Sequence, residues 1–229
     1  MMTINFRQLL LTAVAAGVLG LALASNIFAD EFVVDGPVNS TQTVDGDDTI
    51  TITEDGSITT TGNSEHGVES TGDENIIIND GAIFTSGSLA DGINNTGAEA
   101  EIINNGTIQA GDYGISNDGD LTVITNNGTI LADVDGIAND GDNAVITNND
   151  TIQAGDDGIH NDGDDAVIVN NGTILSLGLF GSGVTNYGEF SVIHNNGFLQ
   201  AFFGIHNDSN SSVITNNGTI DASFLGIYN

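Results

Sequence analysis

One sentence of sequence is written again and again along this chain. The stretch "AVITNNDTIQAGDDGIHNDGD", residues 144–164, has near copies on both sides. Aligned on their Asn pairs, the copies fall at Asn104-Asn105, Asn126-Asn127, Asn148-Asn149, Asn170-Asn171, Asn195-Asn196 and Asn216-Asn217, with spacings of 22, 22, 22, 25 and 21. Two weaker copies precede them, "TITEDGSI" at 51–58 and "IIINDGAI" at 76–83. A period of this length marks a solenoid, in which no unit can bury its apolar face alone and neighbours must stack. About eight copies then fill residues 47–229, and residues 30–46, which fit the pattern poorly and hold the single Pro, read as an N-terminal cap.

Each copy contains three short apolar runs, such as Ala144–Thr147, Thr151–Ala154 and Gly158–Asn161, separated by Gly, Asn or Asp. The runs alternate with period two and favour β-branched residues, which is the signature of strands and turns. Three strands per 22-residue unit describe one rung of a single-stranded parallel β-helix. Three columns of residues test that expectation. Ile52, Ile77, Ile102, Ile124, Ile146, Ile168, Ile193 and Ile214 align as the first; Ile58, Ile83, Ile108, Ile130, Ile152, Ile174, Leu199 and Ile220 as the second; and Val68, Ile93, Ile115, Ile137, Ile159, Val184, Ile205 and Ile227 as the third. All three can face inward as a dry core.

The first Asn of each pair lies two residues after the first-strand Ile, so it shares that inward direction. Asn104, Asn126, Asn148, Asn170, Asn195 and Asn216 are therefore expected to stack as a hydrogen-bonded ladder, and Asn95, Asn117, Asn139, Asn161, Asn186, Asn207 and Asn229 as another. The second Asn and the Gly after it suit a corner with positive φ. Asn-Gly-Thr is also the N-glycosylation acceptor pattern, but here it arises automatically from the repeat.

Residues 1–29 carry Arg7, then an apolar run from Leu9 to Ala24, then small residues. This is the pattern of a secretory signal peptide, with cleavage after Ala24 or after Ala29. The run is short of the roughly 20 residues a spanning helix needs. With no Cys in the chain, no disulfide can hold the exported protein together.

The charge is extreme: 32 Asp and Glu against the one basic residue, Arg7, for a formal net charge of −31. Phosphate recognition needs clustered Lys and Arg, so nucleic acid is excluded as a partner and anionic lipid is disfavoured. Two acidic columns stand out, Asp118, Asp140 and Asp162, and Asp120, Asp142 and Asp164; Asp135 and Asp157 follow at another corner, with Tyr113 before them. Carboxylates stacked about 4.8 Å apart repel, and a Ca²⁺ ladder along these columns is one way to screen them. The plainer reading is that they solvate the turns.

Repeats such as "VITNNGTI", at 123–130 and 213–220, behind a signal peptide resemble the β-helical passenger regions of Gram-negative autotransporters and related surface proteins. The resemblance implies a right-handed helix, export to the cell surface or medium, and a structural or adhesive role toward a host-cell or matrix component or toward itself. The last rung, ending at Asn229, reads as uncapped. The outer-membrane barrel of that family has no counterpart in this sequence, and is expected in a further C-terminal part or on a separate chain.

Two other functions remain open. Parallel β-helices include polysaccharide-active hydrolases that use paired carboxylates, and His160 and His206 share a column beside Asp162 and Asp208. No pair breaks the register of the repeat as a catalytic site should, so the expectation is a non-enzyme without a required cofactor. An acidic Ca²⁺-binding secreted repeat protein is the other alternative. The last copies are enriched in large apolar residues, including Leu177, Leu179, Phe180, Phe202 and Phe224, which form either an outward patch or a wider core.

Overall fold

The computed structural model describes residues 29–229, so the expected signal peptide, Ala29 apart, lies outside the described residues. Every regular element in them is a strand: 25 strands, without a helix. They wind into nine rungs of a right-handed parallel β-solenoid. Each strand pairs in parallel with its counterpart one rung away, for example Val145–Asn148 with Val123–Asn126 on one side and Val167–Asn170 on the other. The first strands form a nine-stranded sheet. The second and third stacks join into one sixteen-stranded sheet because the strand Phe198–Asn207 runs through both. At the usual strand separation, nine rungs give a rod on the order of 40 Å long.

Residues 30–46 supply the first rung. Its strands Glu31–Val34, Pro37–Val38 and Gln42–Val44 pair with Thr49–Ile52, Ser57–Thr60 and Val68–Ser70.

Strand alternation sends the Ile columns inward, where from Ile58 to Ile205 they form one continuous buried core. One member of the expected first column is corrected. Ile50, not Ile52, pairs with Ile77, and Ile52 pairs with Asn79. The strand "TITI" places an Ile at both inward positions, so Ile52 occupies the place that Asn takes in every later rung.

The positive-φ expectation is also corrected. The second Asn of each pair and the Gly after it lie outside the left-handed region. That conformation falls instead just before the first strand, at Asp47, Glu74, Glu99, Leu121, Asn143, Asp165, Phe190 and Ser211, with φ between 54° and 64°. In every rung but the last, the backbone turns left there so that its N–H can reach the next rung, as when Leu121 N–H donates to Asp142 O at 2.8 Å. Leu121 is 52% exposed, so its side chain contributes little to the core. A left-handed non-glycine costs about 1–2 kcal/mol, part of which a glycine loses again through unfolded-chain entropy. Leu121→Gly is therefore expected to raise stability by up to about 1 kcal/mol, read as a higher urea midpoint; a lower midpoint would mean that the Leu side chain matters to the corner.

Glycine after the Asn pair is required by proximity. A Cβ on Gly128 would lie 2.1 Å from Gly106 O, and one on Gly106 would lie 2.0 Å from Gly81 O. The corner stacks backbone directly on backbone.

Candidate functional site on the third strand stack

Three amide ladders run along the rod. In the interior, Asn79, Asn104, Asn126, Asn148, Asn170, Asn195 and Asn216 are linked by Nδ2–H to Oδ1 bonds of 2.7–2.8 Å, each donating to the next rung. Asn95, Asn117, Asn139, Asn161, Asn186, Asn207 and Asn229 form the second, with bonds of 2.6–2.7 Å. The third is on the surface. Asn217, Asn196, Asn171, Asn149, Asn127 and Asn105 each donate to the preceding rung, and Asn105 ends on the carboxylate of Asp80. These second Asn residues are kept for a ladder of their own, which sequence reasoning assigned to backbone conformation.

The acidic columns separate in kind. Asp120 Oδ1 accepts the N–H of Asp142 at 2.9 Å, Asp142 Oδ1 that of Asp164 at 2.8 Å, and Asp164 Oδ1 that of Glu189 at 2.7 Å. Each carboxylate is thus partly neutralised by a backbone donor of the next rung. Asp118, Asp140 and Asp162 line a depression instead. Burial, followed by repulsion from Asp118 and Asp162, pushes the Asp140 carboxyl up. Among the described residues no group of three or more His, Asp or Glu side chains is placed to hold a metal ion.

The depression belongs to the third strand stack. A column of glycines opens each third strand, and Gly136 shows why: its Cβ would lie 2.2 Å from Ile152 Cγ2 and 2.5 Å from Gly158 O. The close approach draws the residue before each Gly into the corner, giving the row Asp91, Tyr113, Asp135, Asp157, Ser182 and Phe203. Two residues after each Gly the strand faces outward, giving the row Asn94, Ser116, Ala138, His160, Thr185 and His206, in register across the rungs. The small Ser116 and Ala138 lie between larger neighbours and leave a notch of about 220 Å³, bounded by Tyr113 and Asp135 on one side and by Asp118, Asp140 and Asp162 on the other. A second, wider depression of about 450 Å³ continues toward Phe180, Tyr187 and Phe203, and shares Tyr113, Asp135 and His160 with the first.

His160 closes the notch. Its Nδ1 lies 3.2 Å from Asp157 Oδ2 and its Nε2 lies 3.2 Å from Asp162 Oδ1. The bond to Asp157, reinforced by the charges of Asp135 and Asp162 and opposed by burial, raises the imidazole pKa to about 9. Burial alone would raise Asp157, but bonds from His160 and from Ser182 N–H outweigh it and hold the carboxyl low. Asp135 goes the other way: burial, aided by the charges of Asp157 and Asp156, lifts it to about 6 despite its bond from Asp157 N–H.

A histidine raised from 6.5 to about 9 contributes stability that is fully present below about pH 6.5 and lost as pH rises through about 9. His160→Gln is accordingly expected to destabilise the protein at pH 6, with the difference from wild type shrinking to near zero by pH 10. Urea titrations at several pH values check it, and a deficit independent of pH would mean that His160 acts by packing alone.

Beyond His160 the same face turns aromatic. Tyr187 lies between His160 and His206 at centroid distances of 5.6 and 6.0 Å, tilted against the first and edge-on to the second, and Tyr228 meets His206 edge-on at 5.0 Å. Beside them Phe202 and Phe224 stack at 5.0 Å, and Phe180 meets Phe202 edge-on at 5.4 Å. Leu179 and Phe180 are 84% and 74% exposed. The apolar enrichment of the last copies is therefore an outward patch and not a wider core. The sequence carried a signal for the notch in the series "DGIN", "DGIA" and "DGIH" at 91–94, 135–138 and 157–160, which differ only in the outward residue.

No protein family, curated protein or solved structure matches the chain.

Proposed function

We propose that this protein is an exported, non-catalytic β-solenoid, a structural and adhesive element of a cell surface or its surroundings, in the manner of an autotransporter-like passenger. The observation that carries the reading is where the repeat is kept and where it is broken. The core columns and the Asn ladders repeat rung after rung. On the outward face of the third stack the residues change from rung to rung, from Ser116 and Ala138 to His160 and His206, with aromatic rings added beside them. A rigid rod with one differentiated face suits contact with a partner: a host-cell or matrix component, or a second copy of the rod. The pair Asp135 and Asp157 is poorly suited to hydrolysis, because both oxygens of Asp157 are engaged, one by Ser182 N–H at 2.6 Å and the other by His160. The signal-peptide pattern of residues 1–29 supports export.

The test is expression from the chain's own start codon in a Gram-negative host. The expected result is cleavage after Ala24 or Ala29, loss of the protein when intact cells are treated with protease or its appearance in the medium, and adhesion of those cells to immobilised matrix or to one another. Retention of an uncleaved chain in the cytoplasm sinks the export reading. Turnover of acidic or neutral polysaccharide by the purified protein sinks the non-catalytic one.

A further inference from the structure

The carboxylates of the third-stack corner follow one rule, and Asp135 breaks it. In each case one oxygen accepts the backbone N–H of the same corner one rung on: Asp91 Oδ1 from Tyr113 at 3.1 Å, Asp135 Oδ1 from Asp157 at 2.8 Å, and Asp157 Oδ1 from Ser182 at 2.6 Å. The other oxygen is met by the outward residue three positions later. Asn94 Nδ2 donates to Asp91 Oδ2 at 3.2 Å, and His160 Nδ1 lies 3.2 Å from Asp157 Oδ2. At Asp135 that later residue is Ala138, which has nothing to donate. Asp135 is only 8% exposed, yet among the described residues its Oδ2 has no hydrogen-bond donor. The missing side chain and the notch are the same space.

Asp135 is largely withdrawn from water and its Oδ2 opens only onto the notch, where a carboxylate oxygen without a protein donor is costly; the one cation of the lining, His160, is engaged by Asp157 and Asp162, and the single Lys or Arg of the chain is Arg7. We propose that the notch over Ser116 and Ala138 binds a primary ammonium group on a flexible alkyl chain, which replaces the absent donor at Asp135 Oδ2. The alkyl stem lies along the floor made by Ala138. The ring of Tyr113 and the carboxylate of Asp140 complete the surroundings of the charge, by cation–π attraction and by charge pairing. At about 220 Å³ the notch is smaller than the usual 300–1,000 Å³ of a small-molecule pocket, so it takes one side chain or one linear amine and not a bulky ligand. Among the described residues no three acidic or His side chains are placed around a metal-sized point, which favours an organic cation over a metal ion. The chemistry has two sources, a free polyamine and the lysine side chain of a protein. This assignment rests on the third-stack face being a contact surface, but not on export.

The test is calorimetric titration of the purified full chain at 0.15 M NaCl with spermidine, with a short blocked peptide containing one lysine, and with the same peptide acetylated at Nε. Saturable one-to-one binding of either amine, absent for the acetylated peptide, is expected, and the tighter of the two identifies the source. Ala138→Asn restores the donor that Asn94 supplies two rungs earlier and fills the notch; it is expected to weaken amine binding at least tenfold while the melting temperature holds or rises. Asp135→Asn is expected to weaken binding similarly. Unsaturable binding, equal binding by Ala138→Asn, or displacement of the amine by an equal concentration of Ca²⁺ overturns the proposal. If amine binding fails but Ala138→Asn still abolishes adhesion of the displayed protein, the face is the contact surface and its ligand is something other than an amine.

Discussion

Replacing Asn148 with aspartate is expected to destabilise the protein by at least about 3 kcal/mol at pH 7, although the two side chains have nearly the same shape. Asn148 is fully buried. Its Oδ1 accepts from Asn126 at 2.8 Å, and its Nδ2 faces three acceptors: Asn170 Oδ1 at 2.8 Å, Asp150 O at 3.1 Å and Thr173 O at 3.4 Å. Asn148→Asp turns that donor into an acceptor among acceptors and adds a buried charge. Because the new carboxyl is easier to protonate in the folded state than in the unfolded one, the deficit against wild type shrinks as pH falls. Asn149 is the control. It stands in the exposed outer ladder, where it donates to Asn127 at 2.8 Å, and Asn149→Asp is expected to cost less than about 1 kcal/mol. Urea denaturation of the two variants, compared at pH 7 and pH 4, decides it. Equal losses would mean that the inner ladder carries no special share of the stability.

Gly136→Ala is expected to cost about 3 kcal/mol, from the addition of a single methyl group. The new Cβ would meet Ile152 Cγ2 at 2.2 Å and, less avoidably, Gly158 O at 2.5 Å. A methyl can rotate aside; a carbonyl held in the stack cannot move without parting two rungs. Since each rung of a solenoid contacts only its neighbours, the damage should be local. Hydrogen exchange is expected to show lost protection at Ile137–Asn139 and Ile159–Asn161, with the distant strand Thr49–Ile52 unaffected. Protection lost evenly along the rod would argue for a single cooperative unit instead.

The interior was legible because two signals coincide there. Period-two alternation gives the direction of each side chain and the 22-residue repeat gives the register, so the Ile columns and the inner Asn ladders could be assigned from the sequence. Ile52 escaped because "TITI" satisfies the alternation at two positions, leaving register alone to choose between them. Corners carry no alternation. Asn127 could be read as a conformational residue or as a ladder residue, and only the path of the chain decides for the ladder. The left-handed corner was illegible for a different reason. Leu121, Asn143, Asp165 and Phe190 share no chemistry, and the inter-rung hydrogen bonds impose the conformation whatever the side chain. As for the candidate site, Asp135 and Tyr113 were visible as irregular corner residues. Their significance lay in Ala138, an alanine unremarkable by itself, whose meaning comes from the Asn and His that replace it in other rungs.

The inner ladders also have a sense of direction. Every amide in both points its N–H toward the higher-numbered rung, and the two buried side-chain atoms left without a partner among the described residues are Asn79 Oδ1 and Asn95 Oδ1, the first acceptor of each line. Aligned amides polarise one another, so each line is a one-way chain of dipoles, negative toward its first residue and positive toward its last. The outer line runs in the opposite sense and ends on a carboxylate at Asp80. The rod is therefore electrically polar along its length, independently of its net charge. A rung laid down after another finds an N–H already waiting for its carbonyl, so assembly in the order of the sequence satisfies each amide as it arrives.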